Sequence, residues 1–201
     1  GGASKKGHHF IQAYNEDKWG FYLRYIRGLR PKYTKPALIF GGAIHDAKEA
    51  FYKGGFDADW MLDVFLEVMA ARKDEYEERE AYDDGVEKGR KMLYYWANTW
   101  GQHDKEKYEI LEVEGSHEFA LENGLTVSVR WDMLAYDTDS RAYYLFDTKT
   151  TGFSVTKSYE SVKGQDQATM YLLGLSKIYP EIYHRTGGLI PDIMYKRQSV
   201  V

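Results

Sequence analysis

The first half of the chain carries apolar and aromatic residues at helical spacing. Four segments repeat such positions every three to four residues: 10–27, 43–52, 59–71 and 75–100. This period places the apolar positions on one face of an α-helix. Gly28 and Pro31 end the first segment, and Gly41 and Gly42 precede the second. The pattern therefore predicts a helical N-terminal half, in which the last segment forms one or two helices.

The second half changes to strand-like patterns after a polar segment, residues 101–107, that is predicted to be a turn. Apolar residues then alternate or run together over strand lengths in four segments: 108–113, 118–121, 125–136 and 141–150. The turn signal Asn123-Gly124 separates two of them, so the strands are predicted to form an antiparallel meander. Helical spacing returns over 158–178, and 189–195 is predicted as a last strand.

Composition predicts one soluble domain. The chain has 201 residues, of which 43% are hydrophobic, enough for one substantial core. We expect a single catalytic domain over 1–201, helical over 10–100 and with its sheet-containing core over 108–196. No apolar run approaches the roughly 20 residues of a membrane-spanning helix. The chain lacks cysteine, which excludes disulfides, zinc thiolate sites and cysteine-held iron–sulfur clusters. Without a secretory pattern at its start, a cytoplasmic location is expected.

The charge is weakly acidic overall and unevenly distributed. A net charge of −4 argues against a protein that coats nucleic acid without selectivity, because such binding needs many lysine and arginine contacts to phosphate. A basic stretch nevertheless occurs near the start, interleaved with Tyr25 and Tyr33, and consists of Arg24, Arg27, Arg30, Lys32 and Lys35. Two interpretations stay open: phosphate contact, or a solvated helix end and loop.

Two carboxylates and a lysine occur in strand-like segments of the second half. Asp147 and Lys149 follow the apolar run 143–146, and Asp132 lies in a similar run upstream. Residues two apart on a strand point to the same face, so Asp147 and Lys149 are predicted to project together while Thr148 points the other way. A phosphodiester hydrolase needs carboxylates to hold a hard divalent cation, and a cationic group to offset charge on the phosphate. The pattern therefore indicates a metal-dependent nuclease centre.

The two carboxylates and the lysine belong to an ordered set of residues that extends over most of the chain. The set consists of Phe21, Tyr22 and Tyr25 through Arg30-Pro31, Gly41 with His45, Asp132, Asp147 with Lys149, and Gln167 with Tyr171. Together with the order helix, three or so strands, helix, strand, this set resembles the core of the PD-(D/E)XK nuclease superfamily, and more narrowly its RecB-like branch. The resemblance implies an α/β (α+β) fold with a PD-(D/E)XK-type core, in which helices flank a mixed central sheet containing an antiparallel meander.

The resemblance also implies a metal site and a catalytic lysine. Gly41 is expected to open a helix whose His45 joins the metal site, together with Asp132, Asp147 and the main-chain carbonyl of Thr148. These groups would hold one or two Mg²⁺ or Mn²⁺ ions, which accept oxygen and imidazole ligands. The catalytic set would be Asp132, Asp147 and Lys149, with Lys149 positioning or deprotonating the attacking water. The expected activity is that of a DNA nuclease, with an exonuclease as the first choice, and its product is expected to carry a 5′-phosphate.

A DNA path beside the site follows from the same resemblance. Gln167 and Tyr171 are four residues apart, about one helical turn, so they would share a helix face and steer the DNA backbone. Three arginines of the basic stretch, Arg24, Arg27 and Arg30, would contact phosphates further along. Single-stranded and double-stranded DNA are both open as substrates.

The sequence departs from the family pattern in two respects. Many relatives in this branch carry four cysteines that hold an iron–sulfur cluster, whereas this chain has none and is similar to cluster-free members. It also has no phosphate-cradling helicase motif, so any unwinding in DNA repair or recombination would need a helicase or recombination partner protein. The acid that supports Asp132 is ambiguous among Glu112, Glu114 and Glu118, and Glu114 is the first choice.

Two other functions stay open from the sequence. A non-catalytic DNA- or protein-binding module could retain the fold, although such a module has no physical need for a metal-binding acid beside a lysine. A glycosidase could use Asp132 and Asp147 as its carboxylate pair, but that leaves His45 and Lys149 without roles. Metal-dependent cleavage of DNA distinguishes the nuclease from both.

Overall fold

A computed structural model describes residues 7–152, 154, 156–159 and 166–195. The N-terminal half is helical, as predicted, and its α-helices are α1 His8–Glu16, α2 Lys18–Phe21, α3 Pro36–Lys53, α4 Ala58–Ala71, α5 Arg79–Trp96 and α6 Gln102–Lys107. Single π-helical segments extend α2 over Tyr22–Ile26 and α5 over Ala97–Gly101. None of the described helices has both the length and the apolar character needed to cross a bilayer.

Three helical boundaries differ from the prediction. The first predicted helix divides at Asp17, whose carboxylate accepts the main-chain N–H of Gly20 and so begins a second helix. Helix α3 begins at Pro36 in place of residue 43, since proline fits a first helical turn. Gly41 therefore lies inside α3 and does not open it. The predicted turn over 101–107 is wrong, because α6 forms there.

The second half forms a four-stranded sheet of β1 Tyr108–Ala120, β2 Thr126–Asp137, β3 Ala142–Thr151 and β4 Thr186–Tyr195. The strand order is β1-β2-β3-β4, with the first two pairings antiparallel and the β3–β4 pairing parallel. Helices α7 Asp166–Ile178 and α8 Pro180–Tyr183 connect β3 to β4. The predicted mixed sheet with an antiparallel meander is confirmed, although the predicted strands 108–113 and 118–121 are one continuous strand. The predicted helix 158–178 contains α7, and its residues 160–165 lie outside the described ranges.

Helices cover the two faces of this sheet. Met133, Ala135 and Phe146 pack towards Tyr52 of α3, while Leu134 and Leu145 belong to a cluster with α7. Alternation along a strand sends neighbouring side chains to opposite faces, so α3 lies on one face and α7 on the other. The largest cluster joins α3, α4 and α5 through these buried residues: Ile39, Ile44, Phe51, Met61, Phe65, Met69, Leu93 and Trp96. The sheet is thus held between α7 on one face and the cluster of α3, α4 and α5 on the other.

Candidate active site

The two strand acids lie where β2 and β3 separate. The antiparallel pairing of these strands runs from Asp137–Ala142 to Met133–Phe146. Asp132 and Asp147 are the next residues of the two strands beyond this last pair. The main-chain N–H of Thr148 donates to Asp132 Oδ2 at 2.5 Å in place of a regular ladder bond. The end of the ladder therefore leaves both carboxylates in a fork between the strands.

Helix α3 brings His45 to one side of this fork. Its Nδ1 lies 3.3 Å from Asp132 Oδ1 and 3.6 Å from Glu114 Oε1. Among the described residues, one nitrogen of His45 and one oxygen each of Glu114 and Asp132 all lie within 4.8 Å of one another. An imidazole and two carboxylates at such separations can converge on a single cation. The His45 carried by Gly41-x-x-x-His45 and the Asp132 of β2 thus meet in space.

Glu114 completes this group through an unusual backbone conformation. Its φ of 55° is in the left-handed region, which a non-glycine residue adopts at a cost and which clusters at functional sites. The neighbouring pairs Val113–Met133 and Gly115–Trp131 place Glu114 directly opposite Asp132. Arg130 Nε also lies 3.0 Å from Glu114 Oε2. The sequence did not indicate Arg130, since nothing in its spacing predicts this ion pair.

Neither of the other two candidate acids belongs to this group of three. Glu112 accepts the indole N–H of Trp131 at 2.8 Å and lies 2.8 Å from His117 Nε2. Glu118 is exposed on the same strand. Glu114 is therefore the one of the three whose carboxylate lies beside both His45 and Asp132.

A second group of side chains forms on the α7 side of the fork. Asp147 is 2% exposed, and its Oδ1 accepts hydrogen bonds from Lys149 Nζ at 2.9 Å and from Gln167 Nε2 at 3.1 Å. Lys149 also donates to Gln167 Oε1 at 3.1 Å, and Gln167 Nε2 lies 2.7 Å from the Tyr171 hydroxyl. Asp147 and Lys149 project to one face and Thr148 to the other, as strand alternation predicts. Gln167 fixes the lysine and the carboxylate relative to each other.

The electrostatics of the fork favour a cation. Burial alone lowers the pKa of His45, but hydrogen bonds to Asp132 and Glu114 outweigh it and raise the pKa to about 9. Burial raises the pKa of Asp132, yet His45 and the Thr148 N–H outweigh that effect and lower it. Burial raises the pKa of Asp147, the nearby Asp132 charge adds to this, and Lys149 opposes it. Carboxylates that hold a proton on His45 also attract a divalent cation, which would displace that proton on binding.

The predicted ligands are not equally placed for such an ion. His45 and Asp132 belong to the three-residue group, which Glu114 completes. Asp147 uses its Oδ1 for Lys149 and Gln167, so its role as a ligand stays a prediction, as does that of the Thr148 carbonyl. The donor set of carboxylate oxygens and one imidazole nitrogen suits Mg²⁺ or Mn²⁺.

The predicted phosphate-binding arginines lie on the π-helical extension of α2 and in the segment that follows it. Arg24, Arg27 and Arg30 are exposed, and Arg30 donates to the Arg24 carbonyl at 3.1 Å. Helix α1 packs against α7, so the N-terminal helices lie beside the helix that carries Gln167. Their contact with DNA stays a prediction.

The fold brings a histidine and two acids together in a group that could hold a metal ion, beside a paired aspartate and lysine. The model of the PD-(D/E)XK nuclease superfamily matches residues 10–190, and the chain belongs to this superfamily. Membership supports phosphodiester hydrolysis, a nucleic-acid substrate and the use of divalent metal ions. No curated protein matches the chain. Membership also favours the nuclease over the glycosidase.

Proposed function

We propose that the protein is a deoxyribonuclease dependent on Mg²⁺ or Mn²⁺, and specifically an exonuclease of the cluster-free RecB-like type. The observation that carries the proposal is the convergence of His45, Glu114 and Asp132 beside the paired Asp147 and Lys149. Superfamily membership supports the phosphodiester bond as the one that is cut. The RecB-like branch rests on the ordered motifs of the sequence.

In this proposal, residues on both sides of the fork would hold the metal. His45, Asp132, Asp147 and the Thr148 carbonyl are the proposed ligands, and the position of Glu114 adds a further candidate. When bound, a divalent cation would polarise the scissile phosphate and stabilise the charge that develops on it. The negative group of carboxylates supplies the attraction that retains such a cation.

Lys149 is proposed to act on the attacking water. Its ammonium is fixed by Asp147 and Gln167, and one third of the side chain stays exposed to solvent. A fixed ammonium can orient a water molecule and offset negative charge on the phosphate without reorganising during the reaction. Gln167 and Tyr171 would then position the DNA backbone, and the exposed arginines of the basic stretch would contact more distant phosphates.

The whole chain, residues 1–201, is proposed to act as one nuclease domain. Met194 of β4 packs into the cluster formed by α3, α4 and α5, so the sheet and the helical half share a core. A cytoplasmic location is consistent with the lack of cysteine. A helicase or recombination protein on another chain would supply any unwinding.

Cleavage of labelled DNA tests the proposal. Single-stranded and double-stranded substrates, each linear and closed circular, are incubated with Mg²⁺, Mn²⁺ or EDTA. We expect metal-dependent cutting of linear DNA that Lys149→Ala abolishes, while the surface variant Lys91→Ala cuts normally. Cutting of closed circles would instead show an endonuclease. DNA binding without cutting under either metal would favour the non-catalytic module.

A further inference from the structure

A buried lysine lies beneath the fork and is not used by the proposed chemistry. Lys48 of α3 is 5% exposed, and its ammonium donates to Thr148 Oγ1 at 3.0 Å. It also forms an ion pair with Asp192 of β4 and lies 4.4 Å from the centroid of a Trp96 ring. Lys48 therefore joins α3, β3 and β4 at one point.

These contacts complete a ring through the candidate metal centre. Lys48 and His45 are three residues apart on α3 and share one face of the helix. His45 contacts Asp132, Asp132 accepts the Thr148 N–H, and the Thr148 hydroxyl accepts from Lys48. Helix α3 is thus attached to the fork twice, once at His45 and once at Lys48.

Thr148 is the residue on which this ring depends. Its hydroxyl lies between Lys48 and Asp192, with Oγ1 3.3 Å from Asp192 Oδ2. Its main-chain N–H donates to the Asp132 carboxylate. Thr148 therefore contacts Lys48 through its side chain and Asp132 through its backbone. Any rotation of the Thr148 peptide would therefore move the bond that orients the Asp132 carboxylate. The side-chain contacts resist such a rotation.

Stability alone gives a weak reason for this buried charge. Removing an ammonium and a carboxylate from water costs several kcal/mol per ion, and apolar side chains of similar volume often stabilise a fold as well or better. A fixed charge does provide directed hydrogen bonds at defined distances, which apolar packing cannot. Substitution of a residue that orients metal ligands in this way commonly lowers metal affinity or activity by roughly 10–100-fold.

We infer that Lys48 is a positioning residue of the metal centre, which holds Thr148 so that Asp132 faces His45. The inference rests on the proposed metal-dependent function and deepens it, because it assigns the support of the site to a residue outside the proposed ligand set. Asp192 acts as the partner that holds the Lys48 ammonium in place.

Mn²⁺ binding to the DNA-free protein is the direct test, measured by electron paramagnetic resonance of the free ion. We expect Lys48→Met to weaken Mn²⁺ binding by roughly 10-fold or more and to lower kcat to a similar extent. The KM for DNA should change by less than about twofold, since Lys48 is 5% exposed and its ammonium is already paired with Asp192 and Thr148. Lys53→Met on the same helix removes an exposed lysine paired with Glu49 and serves as the matched control.

A double variant separates positioning from stability. Lys48→Met alone removes the cation that pairs with Asp192 and should lower Tm, whereas Lys48→Met with Asp192→Leu removes both charges and should restore Tm. We expect Mn²⁺ binding to stay weak in the double variant, because the Thr148 hydroxyl still lacks its donor. Thr148→Val, which keeps all charges and the side-chain shape, should also weaken Mn²⁺ binding.

Defined results overturn the inference. Mn²⁺ binding that returns together with Tm in the double variant would give Lys48 a purely stabilising role. If Lys48→Met does not fold, Thr148→Val decides, and unchanged Mn²⁺ binding by that variant refutes the positioning role. A wild-type protein that binds no Mn²⁺ also refutes it. A wild-type protein that binds Mn²⁺ but does not cut DNA contradicts the proposed nuclease and leaves the positioning result intact.

Discussion

Replacing Asp147 by asparagine should stabilise the metal-free protein while abolishing cleavage. The carboxylate is 2% exposed and loses several kcal/mol of hydration on burial. Hydrogen bonds from Lys149 and Gln167 return about 1.5–3 kcal/mol each. The two contributions nearly cancel. The pKa of Asp147 is nevertheless raised, first by burial and then by the charge of Asp132, so the cost of burying the carboxylate exceeds what its hydrogen bonds return.

The expected gain is therefore small but measurable. Asparagine keeps the side-chain shape and an oxygen that accepts from Gln167, so we expect the free energy of unfolding to rise by about 1 kcal/mol. In a protein of this size, that raises Tm by about 2–4 °C. The carboxyl pKa is higher in the folded than in the unfolded state, so the gain is present at neutral pH. It should disappear as the pH falls below 3.8, the ordinary pKa of aspartate, where both states are protonated.

Thermal unfolding with and without Mn²⁺ is the assay. At a concentration about 100 times its Kd, Mn²⁺ should stabilise the wild-type protein by about 2.7 kcal/mol, and Asp147→Asn by much less, so that the order of the two Tm values reverses. Asp63→Asn, an exposed position on α4, should change neither value. A metal-free variant that melts below wild type, or one that gains the same stabilisation from Mn²⁺, would refute this reasoning.

Three further predictions concern packing, pH and DNA binding. Gly89→Ala should destabilise the protein by about 1–3 kcal/mol in urea unfolding, because a Cβ there would lie 2.0 Å from the buried Phe65 ring, whereas Gly85→Ala on the same helix should be nearly neutral. Hydrogen bonds from Arg72 lower the pKa of Glu75 to about 2, so Glu75→Gln should cost about 0.5–1 kcal/mol at pH 7, and this difference in Tm should shrink as pH falls below 4.5. Replacing the three arginines of the basic stretch by glutamine should reduce the slope of log K for DNA against log salt concentration by about 2–3, and an unchanged slope would place the DNA elsewhere.

The misplaced elements show what local sequence patterns omit. Helix α6 forms in a polar segment whose Asp104 is buried and accepts a hydrogen bond from Tyr52 of α3. Tyr52 and Asp104 are 52 residues apart along the chain, so the sequence of the segment alone does not indicate this contact. By contrast, the division of the first helix depends on the local bond between Asp17 and Gly20, a capping pattern that the sequence does contain.

The sequence by itself determined the class of the fold and the residues that resemble a nuclease site. Apolar periodicity separates helices from strands because side-chain burial follows backbone geometry, and strand alternation places Asp147 and Lys149 on one face. Only the tertiary structure decided that Glu114 joins His45 and Asp132, and that Lys48 lies under Thr148. These contacts connect residues that are far apart along the chain, and their distances depend on how helix α3 packs against the sheet.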